Sequence, residues 1–246
     1  MRFLFACGCP RSGTTVLWRL LRAHPKVAMG VERYIDRVIG KRYELDASYF
    51  SKERFYTYTK GDTHFPDITS AGAGEYYREL EERYDACKYY GDKIPPLYEQ
   101  YDNIFKAFDK VAVVFIFRNI FDVAQSYMKR LAKPDDAWDK NVDDAIREWN
   151  LSLRSTIEAK KKGHKIFVLE YEEVFYKEFD LEPLFNALEI RYSKKVKMNF
   201  RNEKIFCQRL EEKRDNSLSS LDKRNIIYNA DFDAYREVIK LKNSFS

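Results

Sequence analysis

A chain of 246 residues with 45% hydrophobic and 34% charged residues has the composition of a folded protein with a sizeable core and excludes an intrinsically disordered one. Lysine and arginine number 44 against 39 acidic residues, so the formal charge of +5 is too small to signal nucleic acid by itself, yet it suits attraction of an anionic ligand. No run reaches membrane-spanning length, and the apolar stretch Arg2–Ala6 stops at Gly8 instead of continuing as a signal peptide, so the expectation is a cytoplasmic protein without stable membrane insertion.

The 18 tyrosines and 18 phenylalanines predict a ring-rich core. Cys7, Cys9, Cys87 and Cys207 are scattered without a CxxC pair, and His24, His64 and His164 stand alone. No metal-ligand spacing is present, and the thiols read as reduced and structural.

In chain order, strand and helix signals alternate, which predicts an α/β fold: a three-layer sandwich with a central parallel sheet. Arg2–Cys7 is a buried strand, Gly8–Gly13 a turn, and Thr14–Ala23 a helix with Val16, Leu17, Leu20 and Leu21 on its apolar face, ended by His24-Pro25. Residues from about 42 to 74, irregular and rich in Tyr, Phe and charge, read as an insertion within a single domain rather than as a second one. A helix over 75–86, a short strand over 88–90 and a helix opened by Pro95-Pro96 and running to about Phe108 follow. Val111–Phe117 is uniformly apolar, as a central parallel strand is. Helices over 120–131 and 143–162, a strand over 165–170 and a short helix over 181–188 complete the regular part, and the polar C-terminal quarter gives no assignment.

Two motifs carry chemistry. Gly8-Cys9-Pro10-Arg11-Ser12-Gly13-Thr14-Thr15 lies between a strand and a helix, where backbone N–H groups and a helix N-terminus converge on an anion. Its spacing matches the nucleotide-triphosphatase loop G-x-x-x-x-G-K-[ST], except that Thr14 stands where that loop has lysine. A triphosphate with its Mg²⁺ is poorly served by this change. A phosphate–sulfate group needs no metal, and the Arg11 guanidinium suits its oxygens.

The second motif closes the central strand. Where a triphosphatase has a Mg²⁺-binding aspartate, this chain has Arg118, then Ser126 about two turns along the next helix and Arg130 one turn further on the same face. The carboxyl end of a parallel strand is where such sheets bind ligands. Two metal-free anion sites point to a nucleotide phosphorylated at both ends. Taken singly, Arg118 serves equally well as the partner of Asp122 or Glu172 in a solvated ion pair.

With both sites in hand, the chain resembles the sulfotransferases that use 3′-phosphoadenosine 5′-phosphosulfate (PAPS), and the local run looks most like tyrosylprotein sulfotransferases and their bacterial relatives. The matching text is Pro10–Thr15, Ala23-His24-Pro25, Gly30-Val31-Glu32, Asp92-Lys93-Ile94-Pro95, the Arg118…Ser126…Arg130 set and Tyr171-Glu172, all in family order. The resemblance implies that Arg11, Ser12, Gly13, Thr14 and Thr15 bind the 5′-phosphosulfate. It implies that Arg118, Ser126 and Arg130 bind the 3′-phosphate and that Tyr171 lines the nucleotide site.

Glu32 falls where the tyrosylprotein enzymes place their catalytic base, and Lys93 where the family places a lysine on the transferring group. Arg11 joins them as a catalytic candidate, neutralising charge on the departing phosphate. The implied reaction is in-line transfer to a hydroxyl of a small molecule, carbohydrate or peptide, with adenosine 3′,5′-bisphosphate as product and no nucleic-acid partner. The alternatives are a P-loop kinase-like phosphotransferase and a non-catalytic nucleotide-binding protein. Judged alone, Glu32 reads as a surface residue paired with Arg33 or Arg37, and Lys93 as a solvated strand-end lysine.

Two features depart from the family. Its late serine- and lysine-bearing loop has no clear counterpart, leaving Ser217, Ser219, Ser220 and Lys223 as candidates. Arg11 replaces the catalytic lysine of the cytosolic steroid and phenol enzymes. Arg33, Arg37, Lys41 and Arg42 fit either an acidic acceptor or a solvated helix face, and Tyr49, Phe50, Phe55, Tyr56 and Tyr58 either stack on an acceptor ring or pack.

Overall fold

The computed structural model describes residues 1–39, 43–64, 73–213 and 217–242. Strand β1 (Arg2–Cys7) leads through α1 (Thr14–Arg22) to β2 (Val27–Val31), then to the short helices α2 (Ile35–Val38) and α3 (Lys52–Tyr56) and to α4 (Ala73–Arg83). Strand β3 (Tyr89–Lys93), α5 (Tyr101–Ala107), β4 (Val111–Phe117), α6 (Ile120–Leu131), α7 (Val142–Lys161) and β5 (Ile166–Glu170) follow. The chain closes with α8 (Tyr171–Tyr176), α9 (Glu182–Ala187), α10 (Lys194–Glu212), α11 (Ser220–Asn229) and α12 (Phe232–Leu241).

The five strands form one parallel sheet in the order β2-β3-β1-β4-β5. The order follows from the sequence pattern. β1 and β4 are the most uniformly apolar segments, and they take central places, nearly every residue buried. Phe3 and Phe5 alternate with Leu4 and Ala6, so their rings share one face of the sheet and pack on Phe50 and Phe108, while Cys7 on that face meets the Tyr101 hydroxyl at 3.3 Å. Helix α1 packs on β1, β2 and β3, with α10 outside it, whereas α7 packs with α5, α6, α11 and α12. The leftward crossover from β1 to β2 and the rightward ones from β3 to β4 and β4 to β5 put these two helix layers on opposite faces.

The outer edge of strand β2 is closed by side chains. The N–H groups of Met29 and Val31 donate to the hydroxyls of Tyr76 and Tyr77, each at 3.0 Å, and Trp18 Nε1 donates to the Met29 carbonyl at 3.1 Å. Helix α4 thus stands in for a missing sixth strand.

Strand β2 lay unread in the sequence because it is short and carries Gly30. Strand β3 extends to Lys93, past the expected end at Tyr90, and carries a buried Asp-Lys pair that apolar patterning passes over. The proline-opened helix is a 3₁₀ turn over Pro95–Gln100 followed by α5, with Pro96 in a non-helical conformation between two turns. The C-terminal quarter is helical, with α11 opened by a capping box of Ser219 and Asp222.

Of the expected 42–74 insertion, residues 43–64 and the start of α4 are described; Lys41, Arg42 and 65–72 lie outside the described residues. The 43–64 segment is organised around the fully buried Asp62. Its carboxylate accepts from Arg33 Nη1 (2.9 Å), Arg37 Nε (3.1 Å), Arg54 Nη1 (2.9 Å) and the Thr59 N–H (3.0 Å). Arg33 also donates to the Phe55 and Thr57 carbonyls and lies between the rings of Tyr34 and Tyr58. Burial alone would push the Asp62 carboxyl up, but the Arg54, Thr59 and Arg33 donors outweigh it and hold it well below the usual carboxylate range. Its contribution to stability is therefore complete above the unfolded carboxyl value of about 4 and is lost as the pH falls toward the folded value. Replacing Asp62 by Ala leaves the buried Arg33 charge without its partner and is expected to cost about 3–5 kcal/mol, read as a fall in denaturation midpoint.

Candidate functional site

All five strands run in one direction, so their carboxyl ends lie along one edge of the sheet, and every site residue predicted from the sequence sits on that edge or in the element leaving it. The 8–15 loop leaves β1, Glu32 follows β2, Lys93 ends β3, Arg118 follows β4 and Tyr171 follows β5. Parallel pairing sets Lys93 beside Ala6 of β1 and Val31 of β2.

The loop after β1 is compact. Ser12 N–H donates to the Cys9 carbonyl at 3.0 Å, and Gly8 N–H to the Pro95 carbonyl at 3.1 Å. Arg11 adopts φ +70° and Gly13 φ +94°, both left-handed. Gly13 is the N-cap of α1, and no side chain caps the helix, so its first-turn N–H groups are left to a ligand or to solvent. The Ser12 hydroxyl is fully buried beside the Cys9 thiol and has no hydrogen bond of ordinary geometry. A helix N-terminus without a cap and a buried hydroxyl without a partner fit an anion at this position.

The two predicted anion sites meet. Arg11 Nε donates to Ser126 Oγ at 2.9 Å, so the second turn of α6 touches the loop after β1. The meeting is possible because Asn119 caps α6 through its bond to the Phe121 N–H, starting the helix directly after Arg118. Arg11, at the loop surface, is lowered from its ordinary value by loss of hydration and then by Arg130, with Arg118 adding to the effect. Three guanidinium groups therefore raise the potential at one place.

Each of the other two arginines is held by carboxylates. Arg130 donates to Asp136 through Nε (2.7 Å) and Nη2 (2.6 Å) and lies over the Trp138 ring at 4.5 Å. Arg118 lies 4.1 Å over the Tyr171 ring and donates to the Tyr176 hydroxyl at 3.1 Å, which in turn donates to Glu211 at 2.7 Å. Asp122, Glu172 and Glu211 stand 3.4, 3.9 and 3.6 Å from its guanidinium. The expected pairing with Asp122 and Glu172 is thus present, but in a largely buried setting, with 14% of the Arg118 side chain exposed, and not as a solvated pair. Burial works against the charge of Arg118, and Tyr171, Tyr176 and the carboxylates more than restore it. Glu211, Tyr176, Asp136 and Trp138 were missed in the sequence; Glu211 lies far along the chain from Arg118 and carries no local signal.

Tyr171, the first residue of α8, packs its ring where a side chain on Gly13 would stand, since a Cβ built there would lie 2.4 Å from Tyr171 Cδ2. Gly13→Ala is expected to lower stability by about 1–3 kcal/mol through backbone strain and more through the clash. In a denaturation series, adding Tyr171→Ala should recover the clash component and leave the strain.

Glu32 and Lys93 form the other half of the site. Lys93 Nζ donates to Glu32 Oε1, and the Glu32 N–H donates to the Lys93 carbonyl at 2.9 Å. Lys93 is 2% exposed, so it is a buried lysine with a carboxylate partner and not a solvated strand end, while 20% of the Glu32 side chain reaches solvent. Arg33 and Arg37 do not pair with Glu32; both serve Asp62, which also removes them as a surface for an acidic acceptor. Phe50 and Phe55 are core residues, Tyr49 and Tyr56 pack beside them, and Tyr58, covering Arg33, is the most exposed of the five rings. Ser219 is committed to its helix cap, and Ser217 and Ser220 are exposed.

The chain belongs to the sulfotransferase family, whose family model matches residues 4–223. It shares its fold with the sulfotransferase domain from the curacin biosynthetic pathway, at 16% identity and a TM-score of 0.51 over 79% of this chain and 76% of that one. The sulfotransferase domain of the Synechococcus PCC 7002 olefin synthase gives 16% and 0.50 over 80% and 76%. Sulfotransferase STF1 from Mycobacterium tuberculosis H37Rv gives 16% and 0.50 over 81% and 70%. No curated protein matches the sequence significantly. Among the described residues no helix is long and apolar enough to cross a membrane.

Proposed function

We propose that the protein transfers a sulfuryl group from PAPS to an acceptor hydroxyl of a small molecule, carbohydrate or peptide, with Glu32 as general base. The observation that carries this reading is the hydrogen bond between Arg11 and Ser126, which joins the loop after β1 to the Arg118–Ser126–Arg130 group as one ligand with an anion at each end requires. The uncapped N-terminus of α1, the unpartnered Ser12 hydroxyl, Thr14, Thr15 and Arg11 would hold the 5′-phosphosulfate. Arg118, Ser126 and Arg130 would hold the 3′-phosphate, with Tyr171 beside them. When bound, PAPS supplies the sulfuryl group and leaves as adenosine 3′,5′-bisphosphate.

The remaining chemistry belongs to the chain. Glu32, partly exposed and anchored at both its backbone and its carboxylate by Lys93, would take the acceptor proton. Lys93, almost without solvent, can neutralise charge gained by the departing group, together with Arg11. Thr14 in place of the triphosphatase lysine, Arg118 in place of a strand-end aspartate, and the family match all favour sulfuryl over phosphoryl transfer.

Adenosine 3′,5′-bisphosphate is expected to raise the thermal midpoint without magnesium, and a shift with ATP–Mg²⁺ alone would defeat the reading. Glu32→Gln is expected to lower transfer of labelled sulfate from PAPS across sugars, phenols and peptides by about 10²- to 10⁴-fold while leaving affinity for the bisphosphate unchanged. Because Glu211 competes for Arg118 in the free protein, Glu211→Gln should tighten bisphosphate binding about two- to fivefold in a calorimetric titration.

A further inference from the structure

Asp92 precedes Lys93 on β3 and has no part in the reading above. Its side chain is completely buried, and register places it opposite Gly30 of β2, two residues before Glu32. One carboxyl oxygen, Oδ2, accepts the Tyr34 N–H at 2.9 Å. The other, Oδ1, has no hydrogen-bond partner. A Cβ on Gly30 would lie 2.7 Å from Oδ1 and 2.8 Å from Arg33 Cβ, so the carboxyl group fills the space that the glycine leaves open.

The turn between Gly30 and Tyr34 holds Glu32 at φ +54°, a left-handed conformation disfavoured for a non-glycine residue. Such a conformation persists only where its surroundings over-determine it. Here two consecutive residues of β3 do so. Lys93 takes the Glu32 N–H on its carbonyl and the Glu32 carboxylate on its ammonium, and Asp92 takes the Tyr34 N–H on the far side of the turn.

We propose that Asp92 is a positioning residue that fixes the 30–34 turn and thereby aims the Glu32 carboxylate at Lys93 and the acceptor. The proposal rests on Glu32 being the base. Burial raises the Asp92 carboxyl to about 7, against the Tyr34 and Arg33 N–H groups and the Lys93 ammonium, while Glu32 raises it further. Besides these groups, the phenols of Tyr34, Tyr58 and Tyr77 face it from the neighbouring elements. The charge of the support behind Glu32 therefore changes in the neutral range.

The test compares Asp92→Ala with Asp92→Asn, which keeps an acceptor for the Tyr34 N–H but does not titrate. Hydrogen exchange of the 30–34 amides, carboxyl ¹³C resonances of Glu32 and Asp92 between pH 5.5 and 8.5, and the thermal shift given by adenosine 3′,5′-bisphosphate are measured on the full chain. Asp92→Ala should speed exchange at Tyr34 by about 10- to 100-fold, the loss expected for an unpartnered buried N–H, with the nucleotide-induced shift retained. Asp92→Asn should restore protection, and an inflection near neutrality expected in the wild-type Glu32 resonance should be lost in it. Unchanged 30–34 protection in Asp92→Ala, or a Glu32 resonance blind to Asp92, overturns the proposal. Failure of Glu32→Gln to lower transfer overturns the assignment of the base instead, and these exchange and resonance changes would remain to tell the two failures apart.

Discussion

Strand β1 is hydrogen-bonded on both sides to strands running in its own direction, and everything at the site depends on that pairing. Parallel pairing in a fixed register brings residues 7, 31, 93, 117 and 170 to a single rim, although they are widely separated along the chain. A slip of one residue in β3 would exchange the faces of Asp92 and Lys93 and separate Lys93 from Glu32. The register is secured by burial: the inward rings of Phe3 and Phe5 lock onto Phe50 and Phe108, and β4 contributes an apolar residue at every step.

On that rim the charges are arranged in opposition. Arg130 and Arg118 lie close enough to Arg11 to disfavour its charge, which has a cost in the free protein. The chain offsets it with Asp136 at Arg130 and with Asp122, Glu172 and Glu211 around Arg118. Burial raises the Glu172 carboxyl, so this compensation is itself imperfect. The proposed anionic ligand would replace carboxylates as the counter-charge, and its affinity would be set by the difference between the two arrangements and not by the number of arginines.

Much of the fold was legible because the central strands and long helices announce themselves by period. β1, β4, α1, α6 and α7 fall within a residue or so of their expected bounds. β2 was missed because its five residues include Gly30 and its edge is completed by Tyr76 and Tyr77, which belong to a helix more than forty residues away. At the site, the residues proposed to bind anions stood out because the loop and the Arg118–Ser126 spacing are local patterns. Their partners were not: Glu211 reaches Arg118, and Asp62 reaches Arg33, only through tertiary folding. Chain proximity offered Glu32 its neighbours Arg33 and Arg37 as partners, yet the sheet register supplied Lys93.

The bond from Arg33 to Asp62 restricts which single substitutions this side of the site can accept. Arg33 is the chain neighbour of Glu32, and Asp62 gathers the polypeptide that follows it into one cluster with Arg37 and Arg54. The segment flanking the candidate site is therefore tied to the turn that carries Glu32 and is not an independent loop. A substitution at an exposed position such as Tyr58 leaves the cluster's charges paired, whereas replacing Arg33 or Asp62 alone leaves a buried charge without its partner. The surface beside Glu32 can thus be altered through its exposed side chains more readily than through its braced backbone.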